Sequence, residues 1–171
     1  NAANPVGQTL SVAVKNLTVS GASAQNKIYD GNTTASITGA TLNGIVGSDN
    51  VTVSGGGTFA SANAGTGIAV TANLSLSGTH ASNYSLTQPT GLSADITKAS
   101  QSITFPALAS KNSTDAPFSL SATTTSGLSV SFASLDTNML KISGTTATIA
   151  SYGTVTIAAT QLGNSNYDSA T

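Results

Sequence analysis

Cysteine, glutamate and arginine are absent from this chain of 171 residues, and it holds a single histidine. Without cysteine no disulfide framework can staple the fold, although this does not by itself argue for the cytoplasm. One imidazole and no thiol leave no nitrogen or sulfur ligand set for a transition metal. Six acidic and five basic residues give a net charge of -1. With no basic field and no guanidinium to fork onto a phosphate or a base edge, a nucleic-acid role is excluded. No apolar run approaches the roughly 20 residues needed to span a bilayer, and no basic amphipathic stretch suits a membrane surface, so membrane insertion is not expected. The opening Asn1-Ala2-Ala3-Asn4-Pro5 has neither the charged nor the apolar region of an export signal, and the chain is expected to be cut from something longer.

What remains is a vocabulary of strands and turns. Every acid is Asp and every base is Lys, and the polar positions are filled by Thr, Ser, Asn and Gly rather than by helix-forming Glu, Arg and Lys. Apolar and hydroxyl residues alternate in Leu17-Thr18-Val19, Val51-Thr52-Val53, Leu74-Ser75-Leu76, Ile103-Thr104-Phe105, Phe118-Ser119-Leu120, Leu128-Ser129-Val130-Ser131-Phe132 and Val155-Thr156-Ile157. A period of two reads as half-buried strands. Turn signals separate them: Asp30-Gly31-Asn32, Asn43-Gly44, Gly55-Gly56-Gly57, Gly65-Thr66-Gly67, Ser143-Gly144-Thr145 and Gly163-Asn164. The expected fold class is all-β, as immunoglobulin-like antiparallel β-sandwiches in tandem. With aromatics at 5% the cores should be thin.

An internal repeat sets the module length. Asn83-Tyr84 recurs as Asn166-Tyr167, and Lys15 as Lys98, both at an offset of 83 (166 minus 83; 98 minus 15). Pro5-Val6-Gly7 followed by Leu10-Ser11-Val12-Ala13-Val14-Lys15 is similar to Pro89-Thr90-Gly91-Leu92-Ser93-Ala94-Asp95-Ile96-Thr97-Lys98, each reading as a final strand and a short junction. The expected organisation is therefore a tail strand of a preceding module at 1–14, a β-sandwich module at 15–97 and a second immunoglobulin-like module at 98–171. A junction as short as Lys98-Ala99-Ser100 leaves little slack, so an elongated rod is expected.

The stretch Asn26-Lys27-Ile28-Tyr29-Asp30-Gly31-Asn32-Thr33-Thr34-Ala35 resembles the signature of the YDG-type module found in repeated arrays of bacterial surface and haemagglutinin-like adhesins. Later landmarks agree: Leu42-Asn43-Gly44 with Gly47-Ser48-Asp49, Phe59 before Asn63-Ala64-Gly65, Leu76-Ser77-Gly78 before Asn83-Tyr84, and the closing Ala94-Asp95-Ile96-Thr97-Lys98. The resemblance covers about residues 15–98. The remainder, from Gln101-Ser102-Ile103-Thr104-Phe105 to Gly163-Asn164-Ser165-Asn166-Tyr167, looks like another bacterial immunoglobulin-like repeat. The resemblance implies a stalk or spacer in an extracellular or cell-surface adhesin and carries no catalytic residue across.

Few side chains are open to chemistry. Asp30 and Asn32 could face a calcium ion, but calcium takes six to eight oxygens, and the carboxylates are scattered at Asp30, Asp49, Asp95, Asp115, Asp136 and Asp168. A tight turn with Tyr29 packed beneath it is the expected role, and no cofactor or metal is expected. His80 lies in the loop Gly78-Thr79-His80-Ala81-Ser82 with no nucleophile elbow around any serine, so no catalytic site is expected. Tyr29, Tyr84, Tyr152 and Tyr167 could stack sugars, yet Tyr84 and Tyr167 sit at repeat-equivalent positions suited to corner packing. Lys15, Lys27, Lys98, Lys111 and Lys141 could form isopeptide bonds only if buried beside an Asn or Asp and an acid, and solvated lysines are the expectation. The chain is thus expected to be a non-enzymatic, monomeric stalk segment whose partners are neighbouring modules, with carbohydrate or surface binding as the alternative.

Overall fold

The computed structural model describes residues 7–171, and within them the chain is all-β, its one helical element the 3-10 turn Ala81–Asn83. The strands are β1 (Lys15–Ser20), β2 (Ser23–Ala24), β3 (Lys27–Ile28), β4 (Thr34–Thr38), β5 (Thr41–Asn43), β6 (Thr52–Phe59), β7 (Gly65–Ser77), β8 (Tyr84–Thr87) and β9 (Leu92–Thr97). They are followed by β10 (Ile103–Thr104), β11 (Phe118–Ser119), β12 (Thr123–Thr124), β13 (Ser131–Ser134), β14 (Leu140–Ser143), β15 (Thr146–Ile149) and β16 (Ile157–Thr160). The chain divides into two compact units. One takes the chain up to Lys27 together with Asn32–Asp95; the other takes Ile28–Gly31 and Ile96–Thr171.

In the first unit, β6 and β7 form the longest ladder, in register from Thr52↔Ser77 to Phe59↔Val70. Alternation along β7 turns Val70, Ala72 and Leu74 inward and leaves the intervening Thr71, Asn73 and Ser75 exposed, as a period of two requires. These strands belong to a six-stranded sheet of order β2-β4-β6-β7-β9-β3, and a three-stranded sheet has the order β5-β1-β8. Several sheets with inward apolar faces are consistent with a β-sandwich. Leu17, wholly buried, packs with Val51 and Tyr84 and is flanked by Leu42, Ile45, Leu76 and Leu86. β1 departs from the antiparallel expectation: it runs parallel to β8, with Lys15↔Tyr84 through Thr18↔Thr87 in register. The long stretch of chain between them supplies the crossover that a parallel pair needs.

The glycine run Gly55-Gly56-Gly57, expected as a turn, lies inside β6, and Gly65-Thr66-Gly67 opens β7. The reason is close approach of neighbours. A Cβ on Gly57 would meet Val70 Cγ1 and the Thr71 carbonyl oxygen of β7, each at 2.8 Å, and Ile37 Cδ1 of β4 at 3.1 Å, so only glycine admits both adjoining strands.

In the second unit the ladders are shorter. β14 and β15 form a hairpin and β11 adds to its edge, while β13 pairs β16 and β10 pairs β12. Its core gathers around Leu120, Leu140 and Ala147, with Phe105, Phe118, Phe132 and Ile142 packed against them. The strand expected over Leu128–Phe132 is realised only from Ser131. Local hydroxyls take over the backbone just before it. Thr124 Oγ1 donates to the Leu128 carbonyl at 2.8 Å, and Leu128 N–H donates to Ser126 Oγ at 3.3 Å. The tail strand expected over 1–14 lies partly outside the described residues, and Gly7–Val14 carries no strand pairing.

Candidate functional site

Three places gather the side chains able to do chemistry. The first surrounds the Tyr-Asp-Gly turn. Lys27 Nζ donates to the Asn32 carbonyl oxygen at 2.7 Å and to Asn32 Oδ1 at 2.9 Å, and it lies 5.6 Å from the centroid of the buried Phe59 ring. Thr34 N–H donates to the same Oδ1 at 2.9 Å, closing a side-chain turn. Asn32 Oδ1 is thereby committed to an ammonium and an amide, which opposes a second cation at that oxygen. Gly31 has φ 79°, in the left-handed region that the turn requires. Tyr29 belongs to the second unit, where its N–H donates to the Thr97 carbonyl at 2.8 Å. Its ring meets Tyr167 edge-on, with centroids 5.4 Å apart and planes at 78°. Among the described residues, no group of three His, Cys, Asp or Glu side chains is placed to hold a metal ion.

The second place is a polar corner in the first unit. The Tyr84 hydroxyl donates to Asp49 Oδ2 at 2.6 Å and accepts from Val46 N–H at 3.1 Å, while the residue is 8% exposed. The hydrogen bond to Asp49 holds the phenol above its ordinary pKa, partly offset by the Val46 amide, with burial and the Asp49 charge adding smaller upward pushes. His80 sits beside this pair. Its Nδ1 accepts the Asn50 N–H at 3.0 Å and lies 4.0 Å from Asp49 Oδ1, and its backbone N–H donates to the Asn50 carbonyl at 3.2 Å. A Ser-His-Asp triad needs Nδ1–H to donate to the carboxylate so that Nε2 is free to act as base. Here Nδ1 is an acceptor, which puts the proton on Nε2, the opposite tautomer.

The third place is an open cleft of about 510 Å³ in the second unit, floored by Phe118, Met139, Leu140, Ile149 and Ile157. Tyr152, 87% exposed, stands at its rim, and Lys111 Nζ lies 5.1 Å from the Phe118 ring centroid.

The four tyrosines do not assemble into one platform. Tyr84 is buried at its corner, Tyr29 and Tyr167 pack on each other, and Tyr152 stands in solvent. Of the lysines, Lys15, Lys98, Lys111 and Lys141 are exposed, and the half-buried Lys27 meets Asn32 through charge-assisted hydrogen bonds. The repeat of Asn-Tyr pointed to a corner role for Tyr84. The choice of Asp49 and Val46 as its partners had no local signal, since they stand 35 and 38 residues away. The rim formed by Tyr152 and Lys111 was equally invisible, because 41 positions (152 minus 111) separate the two in sequence.

No curated protein and no solved structure gives a significant match to the chain. A family model does match, that of the YDG domain, over residues 13–91. The span takes in the signature turn, the long β6–β7 ladder and the Tyr84 corner, so residues 13–91 form a YDG domain.

Proposed function

We propose that the chain is a non-catalytic structural spacer from the stalk of a large, extracellular bacterial surface protein of the adhesin type, built from immunoglobulin-like modules in tandem. The observation that carries this reading is that its few reactive groups are spent on architecture. Asp49 receives the Tyr84 hydroxyl, the lone imidazole receives a backbone amide at Nδ1, and Lys27 clamps the signature turn. The resemblance to modules of repetitive adhesins, and the YDG domain at 13–91, favour the same reading. So does the recurrence of one pairing: Tyr84 pairs in parallel with Lys15, and Tyr167 with Ala99, close to one repeat length further along. Small-angle scattering tests it, since a spacer is expected to behave as an extended monomer. A maximum dimension equal to that of one compact particle would overturn the proposal.

A second reading, carbohydrate or surface binding, is favoured by one observation, the solvent-exposed Tyr152 at the open cleft of the second unit. Sugar-binding faces pair an aromatic ring with hydrogen-bonding groups, and Ser110, Asn112 and Ser151 line the same cleft as Tyr152 here. A glycan array with bound sugars that are lost in Tyr152→Ala supports this reading, and an array without bound sugars removes it.

A further inference from the structure

Gly7–Val14 leaves three large aliphatic side chains in solvent: Leu10 is 88% exposed, Val12 85% and Val14 56%. They alternate, so an extended chain presents all three on one face. The segment carries no charge and no proline from Gly7 to Val14, the features that keep an unpaired strand from joining a sheet.

The same pattern already has a place in this molecule. Leu10-Ser11-Val12-Ala13-Val14 parallels Leu92-Ser93-Ala94-Asp95-Ile96, with the first two residues identical and aliphatic residues at the alternate positions of both. In the later copy those positions face inward in β9: Leu92 is half-buried, Ala94 is 6% exposed and Ile96 2%. β9 is an interior strand, hydrogen-bonded between β7 and β3. The stretches immediately C-terminal to the two copies correspond as well. Val14 leads directly into Lys15, which pairs in parallel with Tyr84, and Thr97 leads through Lys98 into Ala99, which pairs in parallel with Tyr167. The segment before the first unit thus holds the place that β9 holds before the bulk of the second.

We propose that residues 8–14 are a closing strand donated to a preceding module of the same kind. Leu10, Val12 and Val14 would occupy the inward positions of Leu92, Ala94 and Ile96, between strands equivalent to β7 and β3. In naming another such module as the occupant we rely on the spacer proposal. The recognition is β-strand addition: main-chain hydrogen bonds on both sides give affinity, and the three alternate aliphatic side chains fix the register.

Two fusions test this by hydrogen exchange, each containing the intact chain. In the first, a copy of residues 15–88, which lacks a β9, precedes the chain. In the second, a copy of residues 15–98, which has its own β9, precedes it. In the first fusion exchange at Ser11–Val14 is expected to slow by roughly 100-fold or more relative to the chain alone. In the second it is expected to stay fast, because the slot is filled. Leu10→Asp with Val12→Asp is expected to abolish the protection in the first fusion and to leave the melting of the chain alone unchanged. Fast exchange at 11–14 in the first fusion, or a copy that folds only with its own β9, overturns the donated strand while leaving the spacer proposal standing. If neither added copy folds, the modular reading falls and the donated strand falls with it.

Discussion

Asn83-Tyr84 and Asn166-Tyr167 open the same kind of parallel pairing, one on Lys15 and the other on Ala99, yet the two rings are used differently. Tyr84 is buried with its hydroxyl held between a carboxylate and a backbone amide. Tyr167 is half-buried, and its ring packs against that of Tyr29. The cores differ in the same sense. Among the described residues, nine buried apolar side chains fall in the first unit and four in the second. The position of a tyrosine in a repeat fixes where the backbone puts it, whereas its partners are chosen by loops elsewhere in the chain. One unit relies on a long ladder and a polar corner; the other relies on short ladders, local hydroxyl bonds and an aromatic contact.

The largest expected effects test the cores. Leu17→Ala and Leu140→Ala each remove a buried side chain and should cost about 2–5 kcal/mol. Calorimetry is expected to show Leu140→Ala bringing its unit down at the lower temperature, because fewer buried neighbours remain to hold it. An equal response in both units would break the contrast.

A smaller effect separates two kinds of glycine. Gly57→Ala drives a methyl into Val70 and the Thr71 carbonyl and should cost about 1–3 kcal/mol. Gly144, at φ 60° with nothing within 4 Å of a Cβ, should cost only the left-handed penalty of about 1 kcal/mol when changed to Ala. Urea titrations of the two variants rank them.

Next comes the hydroxyl. Tyr84→Phe strands the Val46 amide and the Asp49 carboxylate and should lower the melting temperature by a few degrees, while Tyr167→Phe keeps its ring contact and should be close to neutral. Equal losses in thermal melts would show that the corners are not used differently.

The finest distinction is in pH. The folded state holds the Tyr84 phenol above its ordinary value of 10.0, so its stabilising contribution is fully present below that value and is lost as pH rises through the higher folded pKa. Melts recorded into the alkaline range should show this loss in the parent chain, and Tyr84→Phe should remove it.

Some of the strands with strict alternation were legible in the sequence, although Val155-Thr156-Ile157 enters a strand only at Ile157. Leu17-Thr18-Val19 and Leu74-Ser75-Leu76 are strands because period-two patterning and burial on one face are a single fact seen twice. The all-β class followed from the missing helix formers. Gly55-Gly56-Gly57 was misleading, because glycine signals a turn locally and a close strand contact only through neighbours that local sequence does not name. Val130 shows the opposite limit: its flanking pattern is that of a strand, but the hydroxyls of Thr124 and Ser126 take up the backbone at Leu128. At the candidate sites, the corner role of Tyr84 was readable from its repeat, whereas its pairing with Asp49 depends on how the chain folds back.

The glycine run also acts as a key for alignment. If β6 slid by one residue, one direction would bring Thr58 to the place of Gly57, against Val70 and Ile37, and the other would bring Ser54 to the place of Gly55, against the backbone of Asn73 and Leu74. Both slips would force a side chain into space already filled by a neighbouring strand, besides turning every side chain of the strand to the wrong face. Three residues without side chains therefore hold the longest ladder of the molecule in a single register.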